Sequence, residues 1–244
     1  MSISKRQSEI LKIIEDNVYV SVNELASLTF TSASSVRRDL TALQNLGLVK
    51  RSYGGAGLSQ TVDKVAGFYS RATQNVKEKR AIAKKAATLL RDGQSILLDS
   101  SSTASFMLPY IARLNSPIVF TNNLETAISA IRHGIHTNCL GGASVNGSVS
   151  LAGSQTYRAI ADISVDIMFF SSQSLDKDGL ISDSTEEENF VRQTMLERAK
   201  TKVLLCDSAK FGKRSLYKLT QLDEVDFAVF DREFEGLITS ATLL

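Results

Sequence analysis

The sequence is poor in the features that mark membrane-embedded and secreted proteins. It contains no apolar run of roughly 18 residues, the length that a membrane-spanning helix requires. Its first residues, MSISKRQSEI, lack the apolar segment of a signal peptide. We therefore expect a cytoplasmic protein that does not associate with a membrane.

Cysteine and histidine each occur only twice. Cys139 and Cys206 lie within apolar runs, which is typical of reduced, buried thiols and not of a disulfide framework. His133 and His136 form no metal-ligand pattern with either cysteine. We therefore expect no structural metal and no cofactor.

The charge is nearly balanced overall, at +2, but it is unevenly distributed along the chain. Residues 1–55 carry 7 Lys and Arg against 5 Asp and Glu, and residues 56–91 carry 8 against 2. The remaining 153 residues carry 13 against 19. A basic front and an acidic rear predict that the N-terminal end binds a polyanion.

The first sixty residues contain the cues of three helices followed by a hairpin. Ser4 is the predicted N-cap of the first helix, and Ser21 with Glu24 forms a capping box at the second. Ser32 is the predicted N-cap of the third helix, which is followed by the basic, glycine-rich segment LVKRSYGGAGL. This order of elements is typical of a winged helix-turn-helix.

The third helix carries two adjacent arginines in the segment TSASSVRRDL. Val36, Leu40 and Leu43 are spaced i, i+4 and i+7 and predict one apolar face. Arg38 then lies about 200° around the helix from Val36, on the outer face. A solvated surface would explain two isolated arginines, but the helix-turn-helix order favours a helix that enters a DNA groove.

The segment ELASLTFTSASSVRRDLTALQNLGLVKRSYGGA resembles the N-terminal signature of the DeoR family of bacterial transcription regulators. That signature has ELA, a VSxxTIRRDL helix, an LxxLG run and an RxHGGA wing, from which this chain departs at Thr31, Ser35, Val36 and Tyr53. The resemblance implies that residues 32–43 form the recognition helix, in which Arg side chains can bind phosphate or a guanine edge with two hydrogen bonds. Lys50 and Arg51 are expected to add phosphate contacts from the wing, although ordinary surface residues would look the same. The candidate DNA-binding residues are Ser32, Ser34, Ser35, Arg37, Arg38, Thr41, Lys50, Arg51 and Tyr53.

Residues 58–74 lack a core pattern and predict a linker between a DNA-binding domain of residues 1–57 and a second domain of residues 75–244. The segment VKEKRAIAKKAATLLRDG, just after it, predicts a helix. Its cations are expected to form a solvated face and not a DNA contact; they are Lys77, Lys79, Arg80, Lys84 and Lys85.

From Ser95 onward, short apolar strands alternate with helices. The strands are SILLD, PIVFT, TNCL, DIMFFS, KVLLC and VDFAVFD. This alternation predicts an α/β domain with a mostly parallel sheet and helices on both faces.

Polar residues or glycines follow the first five of these strands. In an open α/β sheet, ligands bind beyond the carboxyl ends of the strands. Hydroxyl groups and helix N-termini suit a phosphate, carboxamides suit sugar hydroxyls, and Lys210 would supply a compensating charge. Polar loops also occur without a ligand, but five in succession favour a small-molecule site.

These strand ends also resemble the sensor domain of the DeoR family. The segments DSSST, TNN, LGGAS and DSAKFG correspond to its DxGTT, TN, GG and DSSKFG motifs. The resemblance implies a fold similar to ribose-phosphate isomerase, glucosamine-phosphate deaminase and CoA transferases, and a phosphorylated sugar or polyol as inducer. The candidate ligand-binding residues are Asp99, Ser101, Ser102, Thr103, Asn122, Gly141, Gly142 and Lys210.

Several of these assignments leave an alternative open. Asp99 and Asn122 either bind sugar hydroxyls or shape the loops, and Lys210 could instead form a salt bridge with Asp207 or Asp99. Ser102 stands where the family has a loop glycine, which narrows the backbone freedom available near a phosphate. The segment SSQS, after the DIMFF strand, also departs from a glycine-containing family run.

Two functions are compatible with this organisation. The first is a repressor of a sugar or polyol operon that a phosphorylated sugar releases from its operator. Because helix-turn-helix proteins read palindromic operators as dimers, we expect a homo-oligomer, dimer or tetramer, on double-stranded DNA. The second is a sugar-phosphate isomerase or deaminase, which needs a positioned acid–base group. Only Asp99 and the acidic run 186–188 are candidates for that group, and the run suits a helix start, so we expect no enzyme.

Overall fold

The computed structural model describes residues 4–17, 19–46, 48–52, 54–58, 68 and 71–244. The chain divides into two compact units, one of residues 1–74 and 146–148 and one of residues 75–145 and 149–244. Most of the segment predicted to be a linker lies outside the described residues.

Serine N-caps open the first three helices described in the first unit, as the sequence predicts. The side chains of Ser4, Ser21 and Ser32 each accept a hydrogen bond from the backbone three residues on, and Ser21 forms its capping box with Glu24. The elements are α1 (Lys5–Glu15), β1 (Val20–Ser21), α2 (Val22–Leu28), α3 (Ala33–Asn45), β2 (Val49–Ser52) and β3 (Gly55–Leu58).

The strands of the first unit form an antiparallel sheet in the order β1-β3-β2. Gly55 allows β3 to approach β1, because a Cβ there would lie 2.4 Å from the carbonyl oxygen of Val20. Val36, Leu40 and Leu43 are fully buried, so the predicted core face of α3 is confirmed. With Ile10, Ile14 and Leu25 they make up most of this unit's core.

Seven parallel strands form the main sheet of the second unit, which confirms the predicted α/β class. The described strands of the second unit, including those outside the main sheet, are β4 (Ser95–Leu98), β5 (Ile118–Thr121), β6 (His136–Cys139), β7 (Ala143–Ser144), β8 (Leu151–Ala152), β9 (Val165–Phe170), β10 (Ser174–Leu175), β11 (Leu180–Asp183), β12 (Ala199–Cys206), β13 (Tyr217–Gln221), β14 (Phe227–Phe230) and β15 (Thr242–Leu243). The order in the main sheet is β15-β14-β12-β9-β4-β5-β6. Beside it, β10, β11 and β13 form an antiparallel sheet, and β7 pairs with β8.

Helices cover both faces of the main sheet. Alternate residues of a strand point to opposite sides, and apolar side chains occur on both sides. Ile96 and Phe169 pack on one side with the helix that carries Ile82, whereas Leu97 and Phe170 belong to a separate cluster on the other. The helices are α4 (Val76–Ala86), α5 (Leu108–Ile111), α6 (Leu124–Arg132), α7 (Ser154–Ala161) and α8 (Glu186–Leu196). None of the helices in the described ranges combines the length and apolar character needed to cross a membrane.

The two cysteines differ in their surroundings. Cys206 is buried, as predicted, and burial raises the pKa of its thiol to about 12. Cys139 is exposed, so the prediction that it is buried is wrong. It lies on β6, the last strand of the main sheet, where one edge lacks a neighbouring strand in the described chain.

Candidate functional sites

The outer face of α3 carries the two arginines. Arg37 and Arg38 are exposed, and the guanidinium of Arg38 donates to the Ser35 hydroxyl at 3.3 Å. Ser32 caps the helix by accepting the Ser35 backbone N–H at 3.2 Å, and its hydroxyl lies 3.0 Å from that of Ser34. The start of α3 therefore presents short hydroxyl side chains beside two cations.

The wing joins the same surface. The guanidinium of Arg51, on β2, donates to the Thr41 hydroxyl at 2.7 Å, and that hydroxyl donates to the Arg37 carbonyl at 2.8 Å. Lys50 on the same strand is also exposed. Eight of the nine candidate DNA-binding residues thus lie at the N-cap of α3, on α3 itself or on β2. The ninth, Tyr53, lies outside the described residues.

Asp39 holds α1 against α3, a role that no local sequence pattern indicates. It is buried and accepts Arg6 Nε at 2.6 Å and Gln7 Nε2 at 3.3 Å. The hydrogen bond and charge of Asp39 raise the pKa of Arg6 above its ordinary value. The aspartate after the two arginines therefore positions the helix, while the arginines point outward.

In the second unit, the predicted strand-end residues lie on neighbouring loops. The strands β12, β9 and β4 are adjacent, so the loops at their carboxyl ends meet at one edge. Lys210, after β12, donates to the Ser171 hydroxyl after β9 at 2.7 Å. The backbone N–H of Ser171 donates in turn to Asp99, after β4, at 3.3 Å.

Asp99 is buried, and its two carboxylate oxygens are occupied by protein donors. Oδ1 accepts the backbone N–H of Ser101 at 3.1 Å and also its hydroxyl. Oδ2 accepts the Ser171 N–H and Arg192 Nε, the latter at 2.8 Å. Of the two roles considered for Asp99, these contacts correspond to shaping the loop.

Arg192, on α8, is a central residue that is not among the sequence-based predictions. It is buried and forms ion pairs with both Asp99 and Asp183. Burial raises the pKa of Asp183 even though Arg192 opposes that effect. Burial by itself would lower the pKa of Arg192, but the two carboxylates raise it above its ordinary value. Helical spacing places Arg192 three and four residues before the core residues Met195 and Leu196, but no local pattern indicates its partner Asp99, which is 93 residues away in the chain.

Lys79, on α4, is also buried, so the prediction of a solvated face is wrong for this lysine. Its side chain is only 4% exposed, and Nζ donates to the Ser102 hydroxyl at 3.2 Å. The other four cations of this segment are exposed. Helical spacing could have indicated the difference, since Lys79 lies three and seven residues before the core residues Ile82 and Ala86.

These contacts form a closed series, called the ring here, that runs from α4 through the loops at the strand ends and includes the hydroxyl-rich loop 100–103. Asn75 precedes α4, and its side chain donates to Asp207 at 2.9 Å; Asp207 lies 3.4 Å from Lys210. Lys210 continues through Ser171 to Asp99 and its loop, and Lys79 connects that loop back to α4. The ion pair considered as the alternative role of Lys210 therefore exists, with Asp207. The Lys79 ammonium nevertheless contacts the loop 100–103 directly, and the Lys210 ammonium contacts Ser171, whose backbone N–H donates to Asp99 at the start of that loop.

Ser102 does not distort the loop in which the family has glycine. It is not among the described non-glycine residues with positive φ, so serine fits this backbone without strain. Its hydroxyl faces the Lys79 ammonium. The departure from the family pattern therefore adds a polar group and leaves the backbone conformation accessible.

Asn122 and the glycine pair lie at the ends of the next two strands. Asn122 Nδ2 donates to the Leu151 carbonyl at 2.9 Å, whereas its buried Oδ1 has no hydrogen-bond partner among the described residues. Gly142 has φ +112°, and a Cβ there would lie 2.0 Å from the hydroxyl oxygen of Thr156. That hydroxyl donates to Gly141 at 2.7 Å. The glycines thus permit close packing of α7 against this loop. A hydroxyl group of a ligand would provide the missing hydrogen-bond donor for Asn122 Oδ1.

The chemistry of this edge suits binding. The described residues contain no group of three or more His, Cys, Asp or Glu that could hold a metal ion. The carboxylate of Asp99 is committed to an arginine and to backbone and hydroxyl donors. Two ammonium groups, several hydroxyls and one unsatisfied carboxamide oxygen match an anion that also carries hydroxyl groups.

Comparison with known protein families covers both units. Residues 6–62 match the DeoR-like helix-turn-helix domain, and residues 74–232 match the DeoR C terminal sensor domain. The chain is similar to the HTH-type transcriptional regulator GolR of Listeria innocua, with 31% identity over 94% of this chain and 91% of the relative.

Two relatives from Haemophilus influenzae have names that specify a regulated system. The L-fucose operon activator is 32% identical over 93% of this chain and 91% of its own. The glycerol-3-phosphate regulon repressor is 25% identical over 98% of this chain and 93% of its own. Among solved structures, ribose 5-phosphate isomerase A of Methanocaldococcus jannaschii has 19% identity and a TM-score of 0.43, covering 57% of this chain and 55% of that one.

Proposed function

The chain belongs to the DeoR family of transcriptional regulators, and from this premise we propose that it represses a sugar or polyol operon. The proposed inducer is a phosphorylated sugar or polyol, which binds the second unit and releases the operator. The family itself makes the chain a DNA-binding regulator and not an enzyme.

The proposed DNA contacts come from α3 and β2. Arg37 and Arg38 enter the major groove, where one reads a base edge or both hold phosphates. Arg51 and Lys50 bind the backbone from the wing. The hydroxyls of Ser34 and Thr41 allow close approach and donate to phosphate. The protein acts as a homo-oligomer, since two copies of α3 are needed to read a palindromic operator.

One observation carries the ligand half of the proposal: Lys79 and Lys210, from different elements, both contact the loops at the carboxyl end of the sheet. Lys79 is bonded to Ser102, and Lys210 is bonded to Ser171. Ammonium groups of this kind hold phosphate as point charges. Ser101 and Thr103 complete the phosphate loop, and Asn122 with Gly141 and Gly142 borders the sugar.

Repression is supported by the glycerol-3-phosphate regulon repressor among the relatives, whereas the L-fucose operon activator shows that the opposite sign occurs in a similar protein. Whether the protein represses or activates its operon is therefore measured in the same experiments that identify the ligand. In the proposed mechanism, apo protein binds the operator, and the ligand favours an arrangement of the sensor units that no longer matches the half-site spacing.

The test uses the full chain and a panel of sugar and polyol phosphates of three to six carbons, each beside its unphosphorylated form and beside inorganic phosphate. A matching ligand at about 100 times its dissociation constant should stabilise the folded state by about 2.7 kcal/mol, which raises the melting temperature by roughly 5–10 °C. The same compound should weaken operator binding in fluorescence anisotropy. The inducer proposal fails if no phosphorylated compound at millimolar concentration changes either quantity.

A further inference from the structure

One flank of helix α6 carries a stripe of exposed apolar side chains. Leu124, Ile128 and Ile131 are spaced i, i+4 and i+7 and are 41%, 44% and 63% exposed. The helix already has a separate buried side, formed by Thr126, Ala127 and Ala130. The stripe is therefore not used by the core of its own unit, and such exposed apolar clusters mark contacts with another molecule.

The stripe faces the outer edge of the sheet. Ser129 and His133, about 150° around the helix from the stripe, line a cleft together with Arg80 of α4 and Tyr110 of α5. Helix α4 lies over β12 and β14, toward the other end of the sheet. Because one flank of α6 faces α4 and α5, the opposite flank with the stripe is directed away from them, past β6.

The strand beneath this flank has an open edge. β6 is the last strand of the main sheet, and within the described chain its backbone pairs only with β5. His136 and Cys139 on this strand are exposed. An open strand edge and an apolar helix flank thus occur side by side, and one partner can cover both.

We propose that this edge, formed by β6 and the Leu124–Ile128–Ile131 flank of α6, is where a second copy of the chain docks about a two-fold axis. The two β6 strands would pair antiparallel at about 4.8 Å, and the two α6 helices would run antiparallel above them. Because α6 contacts both β5 and β6, its axis lies over the space between them. The two helix axes would then be about 10 Å apart, which matches the separation of about 8–10 Å between packed helices.

The charges on α6 are complementary to those of a second copy. In an antiparallel pair centred near Ile128, Leu124 faces Ile131 of the other copy, and Glu125 faces Arg132. Glu125 and Arg132 form no ion pair with any described residue of their own chain. A two-fold contact would therefore create two Glu–Arg pairs flanking the apolar stripe, and this self-complementarity identifies the partner as the chain itself.

The inference deepens the proposed homo-oligomer and rests on it, but it does not depend on the inducer. Helix α6 begins immediately after Asn122 and Asn123, and Asn123 caps it by accepting the N–H of Thr126 at 2.9 Å. The surface thus starts next to the proposed sugar-binding residues.

Sedimentation equilibrium of the full chain tests the surface. Wild type should sediment as a multiple of the 26.6 kDa chain. Ile128→Glu places two carboxylates face to face at the axis and should raise the dissociation constant of this contact about 30-fold or more. Ile238→Glu is the matched control, because Ile238 is an 87% exposed isoleucine outside α6, and it should leave assembly unchanged.

Charge exchange across the axis gives a second, more specific test. Glu125→Arg alone and Arg132→Glu alone should each weaken assembly, because each places like charges opposite one another. The double variant should restore it, and an equimolar mixture of the two single variants should form mixed dimers. Only an antiparallel contact of α6 with its own copy predicts this recovery.

The inference is wrong if wild type stays monomeric at about 100 µM, if Ile128→Glu assembles like wild type, or if neither the double variant nor the mixture recovers. The ligand-induced shift in melting temperature is measured on the same variants. A wild type that responds to ligand but fails these assembly tests would overturn the surface and leave the inducer site intact; the converse result would overturn only the inducer site.

Discussion

Arg192 and Asp99 form a buried ion pair that joins two elements 93 residues apart in the chain. The same guanidinium also pairs with Asp183. One arginine therefore compensates two buried carboxylates and fixes the loop that begins at Asp99. Because Asp99 also accepts the backbone N–H groups of Ser101 and Ser171, the shape of the proposed phosphate loop depends on this contact.

Arg192→Met should lower the free energy of unfolding by about 3–5 kcal/mol at pH 8, because it leaves two carboxylates buried without their counter-charge. The folded variant should relieve this by protonation of Asp183, because burial already raises the pKa of that carboxyl group and Arg192 is the charge that opposes the rise. A folded-state pKa above the unfolded one means that stability is regained as pH falls, so the difference from wild type should shrink between pH 8 and pH 5.

Urea unfolding at several pH values measures this effect. Arg91→Met, at an exposed arginine of the same unit, is the control and should change stability by less than about 0.5 kcal/mol. A loss of under about 1 kcal/mol for Arg192→Met at pH 8 would show that the ion pair does not hold this part of the fold.

Arg38→Ala should weaken operator binding by about 1–3 kcal/mol if the arginine reads a base edge. The reason is its position on the outer face of α3, where its guanidinium donates to the Ser35 hydroxyl. A loss confined to specific DNA would indicate base readout, and an equal loss on all DNA with a shallower salt dependence would indicate a phosphate contact.

Fluorescence anisotropy against operator and unrelated DNA distinguishes these outcomes. Gln44→Ala, at an exposed residue of the same helix away from Arg38, serves as the control. If a stably folded Arg38→Ala protein binds its operator like wild type, α3 is not the recognition helix.

The sequence predicts the local features well because they depend on residues close together in the chain. The sequence indicates the helix caps by the type of residue at each helix start, which is Ser4, Ser21 or Ser32. It indicates the apolar face of α3 by spacing, and the structure confirms both features. The parallel sheet follows from the alternation of short apolar strands with helices.

Long-range pairings were not predictable in the same way. Arg192 reaches Asp99 across 93 residues, and Arg6 reaches Asp39 across 33. Neither pairing can be predicted from local spacing, because the two partners are far apart in the chain. The solvated face predicted for Lys79 is wrong for a different reason: its position on the inner side of α4 outweighs its charge. The predicted burial of Cys139 is wrong because its short apolar run belongs to an edge strand, which only the sheet order reveals.

Phe30→Gly should make the first unit more stable. Phe30 lies between α2 and α3 with φ +49°, in the left-handed region that costs a residue with a Cβ about 1–2 kcal/mol. Its side chain is 97% exposed, so little burial is lost when it is removed. Glycine costs about 0.5–1 kcal/mol in unfolded-state entropy, which leaves a gain of roughly 0.5–1 kcal/mol.

Thermal unfolding of the two variants Phe30→Gly and Thr31→Gly measures the difference. Thr31 is the neighbouring residue without a positive φ, and glycine there should destabilise because only the entropy cost remains. A fall in melting temperature for both variants would mean that Phe30 stabilises the turn in some other way.

Lys210→Ala should give a protein that binds its operator but no longer releases it. The ammonium contacts Ser171 and Asp207 at the carboxyl end of the sheet, and the side chain is still 19% exposed, so it remains accessible to a ligand. Removing it takes away one of the two cations at the carboxyl end of the sheet while Asn75 still donates to Asp207. For a coupling of about 1–3 kcal/mol between ligand and operator, the ligand should change the operator affinity of wild type about 5–150-fold and leave that of the variant unchanged.

Lys84→Ala, at an exposed lysine of α4, is the control and should respond like wild type. If Lys210→Ala instead loses operator binding and ligand response together, with a lowered melting temperature, the lysine serves the ion pair with Asp207 and not the inducer.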